Sequence, residues 1–283
     1  MYRKLKNYFK SLQNTPLRNL VALVATVQQC IKYFSYIHIY IDNDGDWFNC
    51  RTNVNFVSPE LNVFSFEMVK AAALDYWCYD YNIKEGDIVV DVGAGIGDDV
   101  VVFSRLVGDK GRVIAIEAHP NTYRCLYKTI KKNHLKNVTI INSAVSDYEG
   151  ETIVSCNDNY LTNSILGENE GLKIQMRTLD NILKENDACT PNLIKMNIEG
   201  AELTALIGMK KILKANPHLV VSCHDFLTEN HGAGTEMQTY DQVKEIIQNA
   251  GYIIKRRMDD KREEMKYYIY ASKSIGSVEN INS

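Results

Sequence analysis

Residues 87–97, Asp-Ile-Val-Val-Asp-Val-Gly-Ala-Gly-Ile-Gly, constrain this chain more than any other stretch. Ile88, Val89, Val90 and Val92 form a short β-branched run of the kind that a strand buried on both faces requires. The run ends in Gly93, Ala94, Gly95, Ile96 and Gly97, and helical spacing follows at once. Strand, glycine turn and helix together predict a nucleotide-binding unit. The glycines let backbone approach a ligand closely, and the helix start offers free N–H donors.

The glycines are spaced G-x-G-x-G, whereas a dinucleotide fingerprint reads G-x-G-x-x-G. The acid Asp91 stands two residues ahead of the first glycine. A carboxylate there suits a ligand that carries an ammonium group and repels a pyrophosphate. The turn therefore points to S-adenosylmethionine rather than to NAD.

From residue 87 strands and helices alternate. Strands are expected at 87–93, 112–118, 138–145, 192–198 and 218–224, and helices at 97–107, 120–135, 200–215 and 237–250. The stretch 146–178 reads as irregular with extended pieces at 151–156 and 172–178. Strands at 252–258 and 266–272 close the chain with a short charged link, which makes them antiparallel neighbours. The expected fold is α/β: a doubly wound, Rossmann-like, seven-stranded and mostly parallel sheet with an antiparallel last strand. Residues 1–63 form an N-terminal helix-and-hairpin extension, 64–273 the main domain and 274–283 a polar tail.

The extension has its own signals. Arg3, Lys4, Lys6, Lys10, Arg18 and Lys32 lie among residues 1–40 with no Asp or Glu. Leu17, Leu20, Val21, Val24, Val27, Ile31 and Phe34 recur at helical spacing, which predicts an amphipathic helix. Such a helix either packs on the body or a partner subunit, which allows a homodimer, or lies on an anionic membrane surface. Packing is the preferred reading. Ile37, Ile39 and Ile41 alternate with polar residues, and Asp44-Gly45 turns the chain into Trp47-Phe48, so 37–51 reads as a hairpin. Asp42 to Asp46 resembles a calcium loop, but it lacks that loop's glycine position and terminal glutamate and is read as a turn. The aromatics of 64–82, Phe64, Phe66, Tyr76, Trp77, Tyr79 and Tyr81, are read as core, with one able to close the ligand mouth.

Bulk properties exclude some functions. The formal net charge of −3 gives no electrostatic footprint for nucleic acid. Seven cysteines (30, 50, 78, 125, 156, 189 and 223) are scattered without C-x-x-C spacing, as reduced thiols of a cytoplasmic protein would be. No integral membrane span is expected.

The other chemistry-bearing residues fall at strand ends, where open α/β sheets bind ligands. Glu117 closes the second strand and can accept both ribose hydroxyls. Ser143 and Ala144 end the third, at the rim where an adenine ring would rest. Asn197 and Glu199 end the fourth and face the cofactor's reactive end. Glu199 can hold an amino group or act as a general base, and Glu202 either shares that work or favours its helix dipole. His224 and Asp225 end the fifth strand, with His224 a candidate base for a substrate hydroxyl. Asn197, His224 and Asp225 can alternatively hold a divalent cation such as magnesium, which is not expected for want of a close carboxylate pair. The loop 229–236, with His231 and two glycines, is read as a lid. Residues 1–85, 146–176 and 226–236 would build the acceptor pocket.

Between Asp87 and Asp225 the chain resembles the FkbM family of class I S-adenosylmethionine-dependent methyltransferases. The resemblance rests on Val90-Asp91-Val92-Gly93-Ala94-Gly95-Ile96-Gly97, Ile116-Glu117-Ala118-His119-Pro120, Ala144-Val145-Ser146-Asp147, Arg177-Thr178-Leu179-Asp180 and Leu193 to Glu202. The last is the most specific, since the family reads Ile-Lys-x-Asp-x-Glu-Gly-x-Glu. It implies that Asp91, Gly93, Ala94, Gly95 and Gly97 hold the methionine portion of the cofactor. It places Glu117 at the ribose, with Ala118, Ser143, Ala144 and Asn197 completing the cofactor site. It also implies methyl transfer to a hydroxyl of a small molecule, a sugar or natural product. Here the family's Asp is Asn197, which can orient a hydroxyl but cannot remove a proton, so the catalytic set becomes His224, Glu199 and Asn197. The alternatives are a catalytically silent S-adenosylmethionine-binding protein and a metal-assisted O-methyltransferase. The Asn/Asp-Pro-Pro-aromatic motif of N-methylating enzymes is absent.

Overall fold

Val89, Val90 and Val92 are all buried, and consecutive residues of a strand face opposite sides, so helices must cover both faces of the sheet that contains them. The computed structural model describes residues 17–154, 171–231, 234 and 237–273. Helix α1 (Arg18–Tyr33) precedes strands β1 (Ile37–Ile41), β2 (Trp47–Arg51) and β3 (Asn55–Ser58), which form an antiparallel sheet in that order. β1 and β2 are the expected hairpin. β3 is an addition, because four residues carry too little alternation to be read as a strand. Ile37, Ile39 and Trp47 pack on Val21, Ala22 and Ala25 of α1, while Phe48 and Val57 cover Ile96 and Cys125 on the other face.

Helix α2 (Phe66–Tyr76) leads to β4 (Ile88–Val92), α3 (Asp98–Val107), β5 (Arg112–Glu117), α4 (Pro120–Lys132) and β6 (Val138–Asn142). Ser65 caps α2 by accepting from Met68 N–H, and Pro120 opens α4, where its missing N–H costs nothing. The Asp42–Asp46 turn docks on α4. Lys128 Nζ lies 2.5, 2.7 and 2.6 Å from Asp42, Asp44 and Asp46, and Arg124 donates to both oxygens of Asp46. These three aspartates are the one group among the described residues with ligand atoms close enough to hold a metal ion, and the Lys128 ammonium occupies that position. The loop is a turn, as expected, with its cation supplied by the protein.

A small sheet follows, with β7 (Ala144–Val145) and β8 (Gly150–Val154) flanking β9 (Leu172–Arg177). The chain continues through α5 (Leu179–Glu185), β10 (Leu193–Met196), α6 (Glu202–Ile207), α7 (Lys210–Lys214) and β11 (His218–Ser222). It ends with α8 (Asp225–His231), α9 (Tyr240–Asn249), β12 (Ile253–Lys255) and β13 (Tyr268–Ser272). The main sheet has seven strands in the order β12-β13-β11-β10-β4-β5-β6. Five pair in parallel, and β13 lies antiparallel between β11 and β12. This is the expected Rossmann-like α/β fold. Strand order reverses between β4 and β10, and the crevice beyond their carboxyl ends is where such sheets bind ligands. Val90, Val92, Ile114 and Ile194 pack with α5, α6 and α9 on one face, while Val89, Val113 and Leu193 pack with Trp77 and α3 on the other.

Three expectations change. The expected strand 138–145 stops at Asn142, because Ser143 turns the chain into the small sheet. The expected helix 200–215 is two short helices broken at Gly208, where a side chain would meet Ser146 O at 2.0 Å. Helices α5 and α8 were not expected. The expected lid at 229–236 and extended piece at 151–156 lie partly outside the described residues, and the 274–283 tail lies wholly outside. Among the described residues, no helix is long and apolar enough to cross a membrane.

Candidate active site

The register of β10 on β4 pairs Lys195 with Asp91. In a parallel pair such neighbours share a face, and here it is the one covered by Trp77 and α3. Lys195 Nζ lies 2.7 Å from Asp91 Oδ1 and donates to Gly93 O at 2.8 Å. It also sits 3.9 Å from Asp99 and 4.9 Å from the centre of the Trp77 ring. The side chains of Lys195 and Asp91 are 3% and 0% exposed. At the crevice the backbones of the two strands touch: Gly93 has φ +79°, and a Cβ on it would lie 2.0 Å from Asn197 O. Only glycine fits there.

Three carboxylates crowd this one ammonium. Burial raises Asp91, Asp98 and Asp99 above the ordinary aspartate range, and repulsion from Asp98 adds to it at Asp91 and Asp99. Burial alone would lower Lys195, but the pull of Asp91, Asp99 and Asp98 outweighs it and raises the ammonium. The cluster is short of positive charge. Apart from the Lys195 ammonium, neither oxygen of Asp91 has a hydrogen-bond partner among the described residues. The space above Gly95 is open, since a Cβ there would meet no atom within 4 Å.

Glu117, at the end of β5, bounds the same space. Its two oxygens accept the N–H groups of Gly95 and His119, each at 2.9 Å. Burial raises the Glu117 carboxyl to about 7 against the opposing effect of those amides. Ala118 packs on Ala144, Ile174 and Met176, so the neighbouring wall is apolar. Ser143 is buried, and its hydroxyl faces Ala144 O and Gln175 O at 2.8 and 3.1 Å.

A second group of residues lies beyond β10 and β11. Asn197 N–H donates to Val92 O, which holds that residue at the rim. Glu199 has φ +51°, a left-handed conformation that costs a non-glycine residue energy and marks functional segments. Its carboxylate lies 3.4 Å from His224 Nε2, and that of Glu202 lies 3.1 Å from His224 Nδ1. Glu202 is fully buried and also accepts from Ile198 N–H, Gly200 N–H and the Thr239 hydroxyl. Burial pulls His224 down, but hydrogen bonds to Glu199 and Glu202 more than reverse this and raise it to about 10. His224 is therefore an imidazolium at neutral pH, with a proton on each nitrogen. Asp225 accepts the N–H groups of Thr239 and Tyr240 at the start of α9. Of the alternative metal set, His224 and Asp225 thus face protein groups.

Sequence reasoning named Asp91, Glu117, Asn197, Glu199, Glu202 and His224, and the fold brings them to one crevice edge. It missed Lys195 as the partner of Asp91, and it missed Asp98, Asp99 and Trp77. A lone lysine in a buried apolar strand was the available signal, because such a charge needs a buried partner. Asp98 and Asp99 look like ordinary acids of a first helical turn.

A family model described as the methyltransferase FkbM domain matches residues 91–254. The chain belongs to this family. Hexuronic acid methyltransferase AglP of Haloferax volcanii is 23% identical over 184 residues, covering 62% of this chain and 73% of that protein. A protein-L-isoaspartate O-methyltransferase of Thermosipho melanesiensis is 30% identical over 95 residues, 31% of this chain and 48% of the relative. The match thus spans about half or less of the isoaspartate enzymes' length. Among solved structures, a fibrillarin of Aeropyrum pernix with S-adenosylmethionine bound is 12% identical, covers 83% of this chain and 93% of that one, and has a TM-score of 0.47. The crevice of this FkbM-family chain fits S-adenosylmethionine in its chemistry: a cluster short of cations suits a ligand that carries an ammonium and a sulfonium, and Glu117 bounds the open space over Gly95.

Proposed function

We propose that this methyltransferase acts on a hydroxyl oxygen of a small molecule of the sugar class, with Glu199 taking the proton. The observation that carries the reading is the Glu199–His224–Glu202 chain at the carboxyl ends of β10 and β11. S-adenosylmethionine supplies a methyl group on a positively charged sulfur. Asp91, Glu117 and the 93–97 turn hold the donor, with the ribose hydroxyls donating to Glu117. Glu199 accepts a hydrogen bond from the acceptor hydroxyl, which aligns its oxygen for attack and receives its proton as the new O–CH₃ bond forms and the S–CH₃ bond breaks. His224, already charged, does not compete for that proton. It fixes the Glu199 carboxylate, and buried Glu202 in turn fixes His224. Asn197 orients the acceptor at the rim as donor or acceptor, without charge.

The sugar class is supported by the AglP relative, which is named for a hexuronic acid. The free cysteines among the described residues accord with a reducing, cytoplasmic setting. Among the described residues, no group of three His, Cys, Asp or Glu at this crevice brings its ligand atoms close enough to hold a metal ion. Isotope-labelled S-adenosylmethionine incubated with a panel of hexoses and hexuronic acids tests the reading. Label in an alkali-stable methyl ether is the expected result. Label only in an alkali-labile methyl ester, or only on nitrogen, would show that hydroxyl oxygen is not the acceptor.

A further inference from the structure

Helix α1 is apolar on two sides. Val21, Ala22 and Ala25 are buried against the N-terminal sheet, whereas Leu20, Leu23 and Ile31 point away from it at 56%, 59% and 66% exposure. Val24 and Val27 continue this outward stripe, and Phe34, 96% exposed, ends it. A helix apolar all round normally lies within a core. This stripe is uncovered by the described residues, and it is larger than the scattered single side chains usual on a surface.

Charge selects what covers it. The first 41 residues carry six Lys and Arg and no Asp or Glu, so this end is +6 in a chain whose net charge is −3. The cations of α1, Arg18 and Lys32, are exposed. A second copy would bring an equally basic segment to the contact. It would also find little area. Sixteen residues span about 24 Å, and a strip of that length hides roughly 400 Å² per partner, half of the ~800 Å² of a stable interface. An anionic lipid surface meets both demands, since it takes up the apolar stripe and attracts the basic residues.

We propose that α1 seats the enzyme on an anionic membrane surface, in the plane of the headgroups. The attachment is rigid. The sheet beneath α1 is clamped to α4 by the Asp42, Asp44 and Asp46 contacts with Lys128, and Asn133 accepts from Asn55 N–H and donates to Asn55 O. Helix α4 follows β5, whose last residue is Glu117, so membrane seating fixes the orientation of the crevice to the lipid.

Co-sedimentation of the full chain with vesicles tests this. Binding is expected to phosphatidylcholine vesicles containing phosphatidylserine, not to phosphatidylcholine alone, and is expected to weaken as salt is added. The pair Arg18→Gln and Lys32→Gln should lower the partition constant roughly 30-fold. The pair Leu20→Gln and Ile31→Gln should lower it roughly 100-fold. Unchanged S-adenosylmethionine affinity in both shows that the fold is intact. Equal partition of wild type and the Leu20/Ile31 variant overturns the proposal, as does no binding to phosphatidylserine vesicles. A solution dimer that this variant dissociates, without vesicle binding, assigns the face to a second copy instead.

Discussion

Lys195→Met lowers the stability of the fold by about 3–5 kcal/mol at neutral pH, the usual cost of leaving a buried charge without its partner. Methionine fills the same space among Trp77 and the strand, so the loss reports charge rather than volume. It strips the counter-ion from Asp91, whose side chain is 0% exposed, and leaves Asp98 and Asp99 beside it. Adding Asp91→Leu to this variant returns a large part of the loss, because the uncompensated carboxylate is then gone. The pH dependence follows in sign. The aspartates are raised above their ordinary value, so the folded state holds protons more tightly than the unfolded chain. Lowering pH towards those raised values relieves the variant relative to neutral pH. Urea unfolding midpoints read all of this, and a midpoint unchanged in Lys195→Met would contradict the charge account.

Glu199→Gln lowers kcat by about 10²–10⁴-fold and leaves S-adenosylmethionine affinity near that of wild type. Glutamine keeps the shape, the left-handed backbone and an acceptor oxygen, but cannot take a proton. His224→Gln acts indirectly, through the position of Glu199, and lowers kcat less. Two features underlie that order. The imidazole is raised to about 10 and so is occupied by protons at working pH, and both its nitrogens face carboxylates. Single-turnover rates under saturating donor separate the two variants. Wild-type turnover in Glu199→Gln would remove this carboxylate as the base.

Much of the fold was legible because its signals are local. The β-branched run at 88–92, the glycine turn and the Asp44-Gly45 hairpin each fix their own geometry. The seven-strand sheet follows from strand–helix alternation. What escaped depends on contacts distant in sequence. Gly208 breaks a helix because it touches Ser146, and Ser143 ends a strand because its hydroxyl reaches β9. The site divides in the same way. Asp91 and Glu117 are announced by their places at strand ends. Lys195 beside Asp91 is a matter of register between strands a hundred residues apart. His224 reads as a base from its ordinary pKa, and only its two carboxylate neighbours reveal it as a cation.

The central claim is that the donor's ribose rests on Glu117 beside the glycine turn, and the affinity for S-adenosylmethionine as a function of pH tests it most directly. Ribose hydroxyls donate better to the ionised carboxylate, so binding favours loss of the Glu117 proton, which is held to about pH 7 in the free protein. Calorimetry on wild type and Glu117→Gln provides the comparison, since other titrating groups are common to both. The advantage of wild type over the variant is predicted to be full above pH 7 and to fall by roughly tenfold for each unit below it. Equal affinities at every pH, or an advantage that does not change through pH 7, would contradict the placement of the donor.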